Sequence, residues 1–335
     1  MLRLPWFEHR APRSVAEAAK MLAGEGPRAM LIAGGTDLLP NMKRRHQAPQ
    51  VLVSLSGIPE LRSFSNGSAT RYGAALTLTE VFQNPKTPAA LRHAAIQVAT
   101  PHIRNMGTLG GNLCLDTRCN YYNQSYEWRK AIDFCLKKDG EICWVATASK
   151  RCVAVSSTDT APALIALNAA VTLVSVQGER EVSVADLYRN DGIEYLSRRP
   201  EEILTAVRVP GGWQSSYWKL RRRGSFDFPI LGVAAALRFN SSNEIEEARI
   251  ALGAVASRPF LVEKAGEFLK GKKLTDEVIA EAAGMVANRA KPMDNTDMDL
   301  YWRKEVADDF AGYALRELRG DDMRETRFRI ARQLV

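Results

Sequence analysis

Histidine is scarce in this 335-residue chain, with four in all. His9, His46, His93 and His102 are too scattered to suggest a histidine metal centre. No CxxC knuckle occurs, and neither glycine-rich loop has the GxGxxG spacing of a Rossmann turn or the GxxxxGK[ST] spacing of a P-loop. A doubly wound NAD or ATP domain is therefore disfavoured. Acidic residues are outnumbered, 38 against 46 basic, giving a net charge of +8. The basic residues are spread along the chain, densest at Arg44-Arg45 and Arg221-Arg222-Arg223, with no zinc-finger, helix-turn-helix or RNA-binding signature beside them. A solvated face, or a patch facing an acidic partner or a phosphate, accounts for them better than nucleic acid does. No apolar run is long enough to span a bilayer, and Pro5, Glu8, His9 and Arg10 interrupt the opening residues. Neither a signal peptide nor a membrane span is expected, and the compartment reads as cytoplasmic and reducing.

What is present is 46% hydrophobic and 25% charged content, the composition of a soluble globular chain. Its length suits two or three packed units that need no disulfide staples. All five cysteines, Cys114, Cys119, Cys135, Cys143 and Cys152, nevertheless lie within 39 consecutive residues. In a reducing compartment such clustering points to a metal centre.

Periodicity predicts a helix over 14–22 behind a Ser14 cap, strands over 29–33, 51–55 and 70–73, and a helix over 88–99. Residues 100–112 read as loop, and 113–153 as an insertion without sustained periodicity. A short helix over 160–170 and strands over 171–176 and 202–210 come next, ending at Pro210-Gly211-Gly212, the sharpest boundary in the chain. Beyond it, strands over 215–221, 230–239 and 248–255 precede helices within 262–269, 276–290 and 301–318. Strands followed by helices predict an α+β domain.

Two glycine loops carry the chemistry. Ala33-Gly34-Gly35-Thr36-Asp37 comes after a strand and offers backbone N–H groups suited to a diphosphate, although an ordinary tight turn has the same ingredients. Thr108-Leu109-Gly110-Gly111-Asn112 repeats those ingredients, so the pair suggests one nucleotide gripped from both sides. LIAGGTDLL (31–39), IRNMGTLGGNL (103–113), DTAPAL (159–164), GVAAAL (232–237) and GAVASRP (253–259) resemble the FAD-binding subunit of the xanthine oxidase family of molybdenum enzymes.

That resemblance implies an α+β fold. A two-part FAD-binding domain of the PCMH, vanillyl-alcohol-oxidase-like, type would cover residues 1–212, with subdomains 1–57 and 58–212 and a cysteine-rich insertion over 114–155. An α+β C-terminal domain of the CO dehydrogenase flavoprotein type would cover 213–335. It further implies that Leu31, Ile32, Ala33, Gly34, Gly35, Thr36, Asp37 and Leu38 wrap the FAD diphosphate, and that Thr108, Gly110, Gly111 and Asn112 hold it from the other loop. Asp159 would hydrogen-bond the ribose or adenine end, Leu204 would wall the ring system, and Lys219 would lie beside the isoalloxazine. By themselves Leu204 reads equally as core and Lys219 as a snorkelling strand lysine.

In that family the Asp motif comes closely after the Gly-Gly-Asn loop, whereas here Asn112 and Asp159 are 47 residues apart. The spacing of the cysteines in the extra segment suits zinc or iron–sulfur equally. The text NLCLDTRCNYYNQSYEWR (112–129) and the later FCL, ICW and RCV contexts resemble the 4-hydroxybenzoyl-CoA reductase branch. This implies a [4Fe-4S] cluster, with Cys119, Cys135, Cys143 and Cys152 as ligands. Cys114, which abuts the flavin loop, is read as a small buried hydrophobe. Tyr121, Tyr122, Tyr126 and Trp128 either shield the cluster or simply pack the insertion.

The implied function is electron transfer within a heterotrimeric 4-hydroxybenzoyl-CoA reductase. Electrons from a low-potential donor such as ferredoxin would pass through the cluster and FAD towards [2Fe-2S] centres and molybdenum, for reductive dehydroxylation. The [2Fe-2S] and molybdopterin sites, and the substrate site, would lie on small and large partner subunits, in a dimer of heterotrimers. The alternatives are a related molybdenum hydroxylase or dehydroxylase for another aromatic substrate, and a basic metal-binding nucleic-acid module.

Overall fold

The computed structural model describes residues 3–332; the outermost residues of the two expected domains lie outside them. The chain begins with a three-stranded parallel sheet, in the order β1-β3-β2, formed by β1 (Glu8–Arg10), β2 (Ala29–Ile32) and β3 (Val51–Ser54). Helix α1 (Val15–Glu25) starts where the Ser14 hydroxyl accepts from the Glu17 N–H at 3.1 Å, as expected of a serine cap. It buries Ala18, Ala19 and Leu22, one side of the helix, against Val51 and Val53. Gly26, with φ of 54°, ends it. The turn after β2 leads into α2 (Leu38–Lys43), which returns the chain to β3.

The second sheet has five antiparallel strands in the order β4-β5-β8-β6-β7. Its strands are β4 (Phe64–Asn66), β5 (Ala69–Gly73), β6 (Ala170–Ser175), β7 (Gly178–Ser183) and β8 (Ile203–Pro210). Between β5 and β6 come α3 (Leu78–Gln83), α4 (Ala89–Ile96), α5 (Pro101–Arg104), α6 (Leu109–Leu113), α7 (Tyr126–Ala131) and α8 (Thr160–Ala166). The structure corrects the expected loop over 100–112, which holds two short helices. Thr100 and Thr108 each cap a turn by accepting from the N–H three residues on, and Pro101 opens the first. The Gly-Gly pair inside α6 hides the second, because glycine reads as a helix breaker. The insertion behaves as expected: apart from α7 it has turns and isolated bridges only.

The last third is an antiparallel sheet in the order β12-β11-β10-β9, from β9 (Gln214–Leu220), β10 (Leu231–Phe239), β11 (Ile245–Gly253) and β12 (Phe260–Leu261). Helices α9 (Glu263–Leu269), α10 (Asp276–Arg289), α11 (Leu300–Arg319) and α12 (Arg324–Arg332) complete it. Strand β10 is apolar and buried from Leu231 to Leu237, where both its faces are covered. Leu231, Val233, Ala235 and Leu237 face the helices of this part. Ala234 and Ala236 face the core around α8, as the two-residue period requires.

Helix α12 folds back onto α4. Arg327 lies 4.0 Å over the Trp218 ring, donates to Glu317 Oε1 at 2.8 Å and meets His93 Nδ1 at 3.2 Å. Burial, reinforced by the Arg327 cation, pushes His93 down from 6.5 to about 4. Between those two values the unfolded chain binds a proton that the folded chain refuses, so stability present above pH 6.5 is lost as the pH falls towards 4. Substituting His93→Gln is expected to flatten this part of the pH–stability profile by up to about 1.4 kcal/mol per pH unit, as read by urea unfolding across that range.

Candidate functional site

The two glycine-rich turns meet. A Cβ on Gly34 would stand 1.9 Å from the Met106 carbonyl oxygen, so only glycine permits the contact. Gly35 has φ of 69°, and among the described residues the N–H groups of Gly34, Gly35 and Thr36 find no protein acceptor. Exposed amides beside a glycine turn favour an anion. They open into a cleft of about 520 Å³, within the size range of ligand sites.

Leu31 to Leu38, Thr108, Gly110, Gly111, Asn112, Asp159 and Leu204 all line this cleft. Lys219 does not. It is buried behind Asp159, and its ammonium donates to Asp159 Oδ2 at 3.0 Å, to the Gln97 carbonyl at 3.0 Å and to the Asp227 carbonyl at 2.9 Å. In this structure Lys219 supports a cleft residue and the 226–228 loop. Burial pushes Asp159 up and Lys219 down, each opposed by the other's charge. Tyr217 also donates to Asp159, at 2.9 Å.

Asn112 turns its carbonyl oxygen into the protein, accepting from the hydroxyls of Thr158 at 2.8 Å and Thr160 at 2.7 Å and from the Thr160 N–H at 3.2 Å. It fixes the start of α8, and with it Asp159. Asp37 pairs with Arg118 and accepts from Asn41 at 3.0 Å. Burial raises its carboxyl while Arg118 opposes the rise. Arg118 in turn lies 4.7 Å from the Phe228 ring. Sequence reasoning missed Gln47, Asp116, Tyr195, Arg198, Phe226 and Phe228, which also line the cleft. They come from segments with no motif, and only the fold brings them together.

The insertion builds a second chamber. Cys119, Cys135, Cys143 and Cys152 line it together with Tyr121, Tyr122, Lys137 and Trp144. Cys114 lines the cleft instead. Tyr126 and Trp128 lie outside the chamber wall, Tyr126 packed on Phe134 at 5.8 Å and Trp128 on the lining residue Tyr121 at 6.3 Å. Burial pushes the Cys119 thiol up to about 11 and that of Cys152 to about 12. The N–H groups of Tyr121 and Tyr122 oppose this at Cys119, and the Ala154 N–H donates to Cys152 Sγ at 3.4 Å. Four buried thiols with amides directed at sulfur suit a soft metal centre, which would displace their protons. Among the described residues no three His, Cys, Asp or Glu side chains close around a single ion.

The last third of the chain pins this chamber from outside. Asn295 donates from Nδ2 to the Val153 carbonyl at 2.6 Å and accepts from the Asn120 N–H at 2.8 Å. Ser257 donates to the Cys152 carbonyl at 3.4 Å. Arg303, fully buried, donates to the carbonyls of Met293, Ile230 and Ala254 and so fixes the loop that presents Asn295.

Residues 6–212 match the family described as FAD binding domain in molybdopterin dehydrogenase, and 215–318 match the CO dehydrogenase flavoprotein C-terminal domain. The chain is 30% identical to the aldehyde oxidoreductase FAD-binding subunit PaoB of Escherichia coli, over 85% of this chain and 93% of that one. It is 29% identical to the carbon monoxide dehydrogenase medium chain of Hydrogenophaga pseudoflava, over 93% and 96%. The solved carbon monoxide dehydrogenase of that organism, lacking its Mo-pyranopterin moiety, superposes with a TM-score of 0.75 at 27% identity, covering 94% of this chain and 97% of the other. No described helix is long and apolar enough to cross a membrane. With both family models matched in order along a mixed helix and sheet fold, the chain belongs to the FAD-binding medium subunits of the xanthine oxidase and CO dehydrogenase family of molybdenum enzymes.

Proposed function

We propose that this oxidoreductase subunit holds FAD in the cleft and a [4Fe-4S] cluster in the thiol chamber, and that it serves a complex of the 4-hydroxybenzoyl-CoA reductase type. A small [2Fe-2S] chain and a large molybdopterin chain complete that complex, as a dimer of heterotrimers in the reducing cytoplasm. The observation that carries the reading is the gathering of Cys119, Cys135, Cys143 and Cys152 around one chamber beside the cleft. A single zinc would need its thiolates about 2.3 Å from one point. Four cysteine thiolates are also the usual ligand set of a [4Fe-4S] cluster. The text of residues 112–129 supports the same branch.

When bound, FAD supplies one- and two-electron chemistry and the cluster one-electron chemistry. The chain's own residues bind and orient. The N–H groups of Gly34, Gly35 and Thr36 would hold the diphosphate, and Leu204 would offer an apolar wall to the ring system. Asp159, held by Tyr217, Lys219 and the Asn112-anchored start of α8, presents a fixed carboxyl group. Tyr121, Tyr122 and Trp144 exclude water from the thiols. The proposed external donor is a low-potential carrier such as ferredoxin.

Two results are expected. Gly34→Ala should weaken FAD binding by about tenfold or more, or about 1.4 kcal/mol, in titrations followed by flavin fluorescence, because its methyl group cannot coexist with Met106. Anaerobic reconstitution should load iron and sulfide into the parent chain and Cys114→Ser, while Cys119→Ser, Cys135→Ser, Cys143→Ser and Cys152→Ser each lose several-fold in iron content. Retention of iron by Cys119→Ser with loss in Cys114→Ser would overturn the ligand assignment.

A further inference from the structure

The cleft and the thiol chamber share a wall, and that wall is ionic. Asp116 lines the cleft, whereas Tyr122 and Lys137 line the chamber. Asp116 Oδ2 accepts from the Tyr122 hydroxyl at 2.8 Å and from Gln47 Nε2 at 3.2 Å, and its Oδ1 accepts from Lys137 Nζ at 2.8 Å. The Lys137 ammonium also donates to Thr117 Oγ1 at 2.8 Å and to the Gly192 carbonyl at 2.6 Å. An ammonium has three donors, and all three are engaged. The same nitrogen lies 4.7 Å from the Tyr122 ring and 5.5 Å from that of Tyr195, another cleft residue. Gly192 packs so tightly on the chamber that a Cβ there would stand 2.6 Å from Cys152 Sγ.

The side chains of Lys137 and Asp116 are 6% and 9% exposed. A buried ion pair rarely stabilises a fold better than apolar residues of the same volume, so stability alone does not account for one here. What it provides is a fixed cation between two sites, in a medium that screens charge far less than water does.

We propose that Lys137, held by Asp116, Thr117 and Gly192, is the electrostatic coupler of the two sites, a positioning residue whose charge sets the reduction potentials of the flavin and the iron–sulfur centre together. This inference rests on the cofactor assignment proposed above. Both groups gain negative charge on reduction, so a cation between them favours the reduced form of each. It also lets two anionic groups stand side by side, each partly hidden from the other.

The test is a pair of charge-opposed variants of the full chain, Lys137→Met and Asp116→Asn, with Lys137→Arg as the charge-conserving control. All three are reconstituted with FAD, iron and sulfide and titrated potentiometrically, with flavin followed by absorbance and the cluster by electron paramagnetic resonance. Lys137→Met should move both potentials negative, Asp116→Asn should move both positive, and Lys137→Arg should stay near the parent. A merely structural role would move the first two variants in the same direction, and that result, or a shift confined to one centre, overturns the proposal while leaving the cofactor assignment standing. A parent chain that takes up flavin but no iron overturns both.

Discussion

The contact between Gly34 and the Met106 carbonyl is made backbone to backbone, and the shape of the cleft depends on it. Two turns from different parts of the fold touch where no side chain intervenes. The width of the cleft at that point is therefore set by main-chain atoms, which cannot change rotamer as a side chain would. Among the described residues the amides of Gly34, Gly35 and Thr36 find no protein acceptor. An anion is the partner they lack.

Around that contact the protein places three ion pairs: Asp37 with Arg118, Asp116 with Lys137, and Asp159 with Lys219. Each takes charge out of water at a cost, and each holds a carboxyl group that lines the cleft. A bare carboxylate facing a diphosphate would repel it. A carboxylate already neutralised by a neighbour can instead direct hydrogen bonds, so the pairs make the cleft polar without making it strongly negative. Asp116 shows the balance most clearly: burial alone would raise its carboxyl, yet Lys137, aided by Arg118 and Tyr122, holds it below its ordinary range.

Much of this was legible in the sequence, and the exceptions have physical reasons. The helices behind Ser14 and Thr275 and the strands over 203–210 and 231–239 arise from capping and hydrophobic pattern, which are local. The two glycine turns could be picked out because few residue types permit so close a backbone contact, and the cysteines because all five fall within 39 residues. Short helices such as α5 and α6 escaped because a single threonine cap outweighs the poor helix propensity of the residues behind it. The place of Lys219 escaped because its partners lie 60 and 122 residues away in the chain. Asn112 was recognised as part of the loop, but its role in anchoring α8 depends on threonines 46 and 48 residues further on. Gln47, Asp116, Tyr195 and Phe226 carry no pattern at all, since a cleft wall selects for position more than for type.

The pinning of the chamber by Asn295 and Ser257 bears on the order in which the protein is made. Synthesis delivers the cysteines long before residues 257 and 295, and a chain that has emerged only as far as β8 holds four thiols without the groups that fix Asn120, Cys152 and Val153. Domains tend to fold as they leave the ribosome, and both glycine turns emerge before the residues that brace the cysteine segment. A product truncated before residue 257 lacks the groups that fix Asn120, Cys152 and Val153.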